Sequence, residues 1–296
     1  MAVNATDRDA QRAERKAQAA KHSALMKGAF ASDTAKTVDA AVIYEDGQAR
    51  MLELPEAAFE GTETVVTTAF APEALFRFGK GKTMVVDPAS ATRPGGAYED
   101  GAFGPEQVLC AESNLYEVLQ GMRQEFHQGN RGTQAGMLFT DRAAYLPDVA
   151  FLRGGTVRKA NVLAIPEPVR ARALENHRSE RECDLALANR VESILRAAAA
   201  NGCETVVVGA FGCGRNGYPA SQVVSLFQDW IAAHPGAIGQ LVFAVPRAFV
   251  DQFREAFGQP EPEVAPVVAA PEAGNDSDSD EFDWRSVELP EGITVR

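Results

Sequence analysis

The sequence has no apolar run long enough to cross a bilayer: among the longest is 205–211, only seven residues. No secretory leader is expected, since the opening MAVNATDRDAQRAERKAQAAKH is charged and has no apolar stretch. A cytoplasmic protein with no membrane partner is expected. Cysteine and histidine are scarce, with four of each. Cys110, Cys183, Cys203 and Cys213 form no CxxC pair, and His22, His127, His177 and His234 stand at no ligand spacing. Reduced, mostly buried thiols are expected, with no metal and no cofactor. No basic cluster is present, which argues against general binding of duplex nucleic acid. A nucleotide signature is missing as well: neither glycine-rich loop, 88–104 or 209–219, ends in GK[ST].

What is present is an ordinary globular composition, 45% apolar and 24% charged, sufficient for one substantial core with appendages. The formal charge of −12 is unevenly spread: ten acids against two arginines in 259–296 give that stretch −8. Its sequence QPEPEVAPVVAAPEAGNDSDSDEFDW is rich in Pro, Ala and acids and cannot bury enough surface to offset ordering. A disordered acidic tail is expected there. Its end mixes Phe282, Trp284, Val287 and Leu289 with acids, a pattern that would suit docking to a protein partner.

Residues 7–30 read as a helix, rich in Ala, Gln, Lys and Arg. Six strand-like runs follow, at 39–44, 63–69, 83–87, 161–166, 205–211 and 240–245, several apolar on both faces as in a covered sheet. Helices are expected over 106–127, 179–201, 220–233 and 249–257. Alternating strands and helices predict a three-layer α/β/α domain over 32–258, with 1–31 as an N-terminal helical extension.

Two glycine-rich loops leave the C-terminal ends of predicted strands. The first is PASATRPGGAYEDGAFG after TMVVD, and the second is GAFGCGRNGYP after TVVV. Glycine lets backbone N–H groups approach an anion closely, and a helix start adds its dipole. A pair of such loops suggests a diphosphate cradled between them. Arg93 and Arg215 lie in the loops, either to meet phosphate or simply to face solvent.

The stretch PGGAYEDGAFGPEQVLCAESNLY resembles the signature of the microbial poly(ADP-ribose) glycohydrolases. That signature is a glycine run, about six to eight residues, then Gln-Glu-Glu and a Leu-Cys, Ser-Asn-Leu-Tyr helix. Here Gly95-Gly96-Ala97 is followed by seven residues, then Pro105-Glu106-Gln107, Leu109-Cys110 and Ser113-Asn114-Leu115-Tyr116. LPDVAFLRG at 146–154 is similar to the family's proline-aspartate strand. VVVGAFGCGRNGY is similar to its second phosphate loop, and VFAVPRAFVDQFREAF to its closing strand and helix. The resemblance spans roughly 10–258 and implies a macrodomain with a mixed sheet.

The implied ligand is ADP-ribose, free or on an ADP-ribosylated macromolecule. The implied binding residues are Asp87, Arg93, Gly95, Gly96, Ala97, Gly209, Phe211, Gly212, Gly214, Arg215, Asn216, Gly217 and Tyr218. The family's first glutamate holds the ribose and its second is the general acid/base; by register these fall on Glu106 and Gln107. A glutamine can hydrogen-bond but cannot deliver a proton. Asp87 stands where the family commonly has asparagine. Arg215-Asn216 stands where it has an aromatic over the ligand, a role that falls to Tyr218 here. Glu99 and Asp100 are further candidate acids. Glu106, in the first turn of a helix, would be biased toward its ionised form by the dipole, so proton donation requires burial to raise its pKa. Two functions follow: hydrolysis of ADP-ribosyl linkages if Glu106 suffices, or an ADP-ribose reader that has lost cleavage.

Overall fold

A computed structural model describes residues 5–132 and 134–258. The chain opens with α1 (Ala5–Ala29), α2 (Ala31–Asp39) and β1 (Val42–Tyr44), followed by β2 (Glu63–Thr67), α3 (Ala71–Phe78) and β3 (Thr83–Pro88). Next come α4 (Pro105–Ala111), α5 (Leu115–Gly121), β4 (Ala143–Arg153) and β5 (Thr156–Ile165). The remainder is α6 (Arg170–Glu175), α7 (Glu180–Ala200), β6 (Thr205–Gly209), α8 (Ala220–Ala233), β7 (Gln240–Ala244) and α9 (Val250–Phe257). The expected acidic tail at 259–296 lies outside the described residues. No described helix is long and apolar enough to cross a membrane.

The strands form one mixed seven-stranded sheet in the order β1-β4-β5-β3-β6-β7-β2. The pairs β5/β3, β3/β6, β6/β7 and β7/β2 are parallel, and β1/β4 and β4/β5 antiparallel. Both faces are covered, which explains the apolar runs without alternation. One face packs Val86, Val206, Val208 and Phe243 against α7, α8 and α9. The other packs Val85, Val162, Val207 and Val242 against α3, α4 and α5. This is the expected three-layer α/β architecture, with a mixed sheet as in macrodomains. The four cysteines are buried and unpaired.

Local differences have physical causes. The stretch 39–44 is a strand only over Val42–Tyr44, because α2 runs through Asp39. The helix expected over 106–127 breaks at Ser113-Asn114. Ser113 Oγ accepts the Leu115 N–H at 3.1 Å, and Asn114 Oδ1 accepts the Ala150 N–H at 2.9 Å, so local side-chain bonds displace the helical ladder. Past α5, the six residues Arg123–Gln128 form a π-helical turn. In β4 the register shifts between Leu146 and Val149, a bulge that accommodates Pro147.

α1 lies against the first glycine loop. Arg12 and Arg15 donate through Nε to the carbonyls of Asp100 and Gly101, each at 2.9 Å. His22 Nε2 lies 2.8 Å from the Ser113 carbonyl, and burial pushes its pKa down.

Candidate active site

The adjacent strands β5, β3 and β6 end side by side, and their C-terminal ends carry the candidate groups. Asp87 is the penultimate residue of β3, Gly209 closes β6, and Glu167 follows β5 by two residues. This is where ligands gather in open α/β sheets. The loop from β3 carries Arg93, Gly95, Gly96 and Ala97 into α4, and the loop from β6 carries Phe211 to Tyr218 into α8.

Asp87 is fully buried, 0% exposed, and neither of its carboxyl oxygens meets a hydrogen-bond partner. Burial pushes its pKa up to about 8, with the Glu167 charge adding to the rise. Glu106 is 4% exposed. Its Oε2 accepts the Ser90 N–H at 3.0 Å, while Oε1 is buried without a partner. Burial holds the Glu106 carboxyl well above the usual carboxylate range, and the Asp87 charge pushes the same way. The Ser90 and Gly95 backbone amides pull it down but do not win. The ionised state that the helix start would favour is therefore overridden by desolvation. Burial thus biases the Glu106 carboxyl toward its protonated form.

Gln107 turns toward the glycine run. Its Nε2 donates to the Gly95 carbonyl at 3.0 Å and lies 3.5 Å from Glu106 Oε2. Gly95 and Gly96 adopt φ of +63° and +59°, and a Cβ on Gly96 would stand 2.8 Å from Gln107 Nε2 and 3.0 Å from Glu106 Oε2. Glycine is required here by both the left-handed backbone and the close approach. Ala97 turns the chain, its carbonyl accepting the Asp100 and Ala102 N–H groups at 3.1 Å each.

In the second loop Gly212, Gly214 and Gly217 also have positive φ. Glu167, which the sequence reading did not single out, accepts the Gly212 N–H at 2.7 Å and the Asn216 side-chain N–H at 2.6 Å. Burial pushes Glu167 up to about 7, while those two donors and the Arg215 charge pull it down. The segment before Glu167 is fixed by Arg190, a buried guanidinium that donates to the Pro166 and Leu138 carbonyls at 3.0 and 2.8 Å. A signal for Glu167 existed: a proline-flanked acid immediately after the NVLAI strand.

The two arginines differ. Arg93 binds Glu99 at 2.7 Å and Asp100 at 2.8 Å, so much of its charge is spent within its own loop. Arg215 is exposed on the second loop, near the Glu167 carboxyl whose pKa it lowers. The candidate acids Glu99 and Asp100 are corrected by the same contacts. Glu99 accepts from the Tyr116 hydroxyl at 2.6 Å and from Arg93, which together hold it below the usual range, and Arg93 does the same to Asp100. Neither holds a proton for donation. Tyr218 is also corrected as a cover over the ligand. It is buried, its ring packed under Gly212 and its hydroxyl donating to the Cys183 carbonyl at 2.9 Å, so it props the loop from within. Phe211 is likewise buried in the core.

Residues 10–154 match the family model of the microbial-type PARG catalytic domain, and residues 149–227 match that of the macro domain. The structure is similar to that of poly(ADP-ribose) glycohydrolase from Thermomonospora curvata, with a TM-score of 0.71 at 26% identity, covering 83% of this chain and 98% of that one. The same enzyme bound to the inhibitor ADP-HPD gives 0.68 at 27% identity, again over 83% and 98%. Poly(ADP-ribose) glycohydrolase from Deinococcus radiodurans, in complex with ADP-ribose, shares the fold with a TM-score of 0.68 at 22% identity, over 76% and 96%. Nothing among curated proteins matches the chain.

Proposed function

Since the chain belongs to the microbial-type poly(ADP-ribose) glycohydrolase family of macrodomains, we propose that it binds ADP-ribose between its two glycine loops and hydrolyses an ADP-ribosyl glycosidic bond with Glu106 as proton donor. The observation that carries this reading is the setting of Glu106: buried, with Oε1 unpartnered, and with its pKa pushed up by burial. A buried acid with a raised pKa is what a general acid at neutral pH requires. The ADP-ribose and ADP-HPD complexes of the structural relatives support the ligand assignment.

The chemistry follows from the groups in place. Glu106 gives its proton to the leaving glycosidic oxygen as the bond to the ribose C1 breaks. Water then forms the new bond to C1, and its proton returns to the Glu106 carboxylate. Burial of the Glu106 carboxyl favours this reprotonation. Gln107 orients the Gly95 turn around the ribose, and Gly214, Arg215 and Gly217 of the second loop face the diphosphate. The working unit is residues 32–258, with 1–31 an extension and 259–296 an acidic tail suited to a protein partner. The four buried, unpaired thiols support a cytoplasmic location.

A second reading, a reader without cleavage, is favoured by one observation: the side chain at the family's acid position is an amide tied to the Gly95 carbonyl. Release of free ADP-ribose from poly(ADP-ribose) and from a mono-ADP-ribosylated protein distinguishes the two. Hydrolysis predicts release that depends on Glu106, whereas a reader binds both substrates and releases nothing.

A further inference from the structure

Beside Gln107, helices α1, α3 and α4 enclose a cleft of about 470 Å³, within the size range of small-molecule sites. Two phenylalanines stand in its wall, Phe70 ahead of α3 and Phe103 ahead of α4. Six large apolar side chains are exposed among the described residues, and the only aromatic ones are this pair, Phe70 at 54% and Phe103 at 61%. Their rings meet edge to face with centroids 6.1 Å apart, and the Arg15 guanidinium lies 5.8 Å from the Phe103 centroid. An exposed aromatic pair with a cation beside it forms a stacking platform for a planar base.

The rest of the wall suits a base better than a phosphate. Arg153 is clamped between Glu73 at 3.0 Å and Glu112 at 2.9 Å, so its charge is neutralised within the cleft. Position adds the second argument. Gln107 lines the cleft and its Nε2 lies 3.5 Å from Glu106 Oε2, which sets the cleft next to the proposed proton donor. In a chain of ADP-ribose units joined ribose to ribose, the departing group is an adenosine, whose base sits one sugar from the broken bond.

We propose that this cleft is a leaving-group subsite that stacks the adenine of the next ADP-ribose unit on Phe70 and Phe103. The inference rests on ADP-ribose binding as read above. Its test is calorimetry with ADP-ribose and with its two-unit oligomer, in a Glu106→Gln background so that the oligomer stays intact. The oligomer is expected to bind roughly tenfold tighter than ADP-ribose, the scale of one stacked base. Phe70→Ala combined with Phe103→Ala removes that advantage and leaves ADP-ribose affinity within about twofold; Phe103→Leu, which keeps apolar bulk but no ring, removes part of it. Equal affinity for the two ligands, or an advantage that survives the double substitution, overturns the subsite while leaving ADP-ribose binding intact. A matching loss for a mono-ADP-ribosylated peptide assigns the cleft to a protein side chain and also overturns it. Failure of both ligands to bind overturns the ADP-ribose reading, and the subsite with it.

Discussion

Gln107 donates its amide hydrogen to the Gly95 carbonyl at 3.0 Å, fastening the start of α4 to the first glycine turn. A glutamate at this position would keep that bond only when protonated, because an ionised carboxylate would face a carbonyl oxygen. Gln107→Glu is therefore expected to raise ADP-ribose release from the polymer, and most strongly on the acid side of neutrality. A pH–rate profile of both proteins checks this; identical profiles would show that position 107 does not limit the reaction.

Glu167 occupies donors of the second loop, with Gly212 N–H at 2.7 Å, and sits where a diphosphate is expected. Its pKa is raised to about 7, so it becomes neutral as pH falls through that value. ADP-ribose should bind more tightly at pH ~6 than at pH ~8, because repulsion between the carboxylate and the diphosphate is then removed. Glu167→Gln is expected to flatten this dependence and to bind several-fold tighter at the alkaline end. Calorimetry across that range reads the slope, and a wild-type slope retained in the variant would assign the titration elsewhere.

Asp87 couples the site to stability. Its folded pKa of about 8 lies above the roughly 3.9 of an unfolded aspartate, so the folded state holds the extra proton between those values. Stability from this group is full below the unfolded pKa and is lost as pH rises through the folded one. The raised carboxyls of Glu106 and Glu167 act in the same direction. The wild-type Tm is expected to fall between pH ~6 and ~9, and Asp87→Asn to fall less, as seen by thermal melts. A steeper fall in the variant contradicts the assignment.

Gly96 is the most demanding backbone position in the first loop. At φ +59°, with a Cβ 2.8 Å from Gln107 Nε2, Gly96→Ala must move both the turn and the amide. The expected cost is about 1–3 kcal/mol of stability and at least about tenfold in ADP-ribose affinity. Denaturant titration and calorimetry measure the two losses.

Much of the architecture was legible because the central strands are apolar on both faces and the helices alternate with them. The elements that escaped are short or locally overridden. α3 and α6 are too brief to show periodicity, and Ser113 and Asn114 stop a helix through bonds to partners such as Ala150, 36 residues away. The glycine loops could be read from the residues, and Glu106 from the resemblance to the family's signature. What spacing cannot carry is the environment of a charge. The raised pKa of Glu106 depends on burial beneath other segments, Glu167 acquires its role from a loop 45 residues downstream, and Tyr218 faces inward because Cys183 offers a carbonyl there.

The central claim is that Glu106 is the proton donor of an ADP-ribosyl hydrolase, and the most direct measurement compares wild type with Glu106→Gln for ADP-ribose release and ADP-ribose affinity together. The account predicts release by wild type, a fall of about 10²–10⁴ in the variant, and affinity within a few-fold. Binding without any wild-type release, or release undiminished in Glu106→Gln, would contradict it.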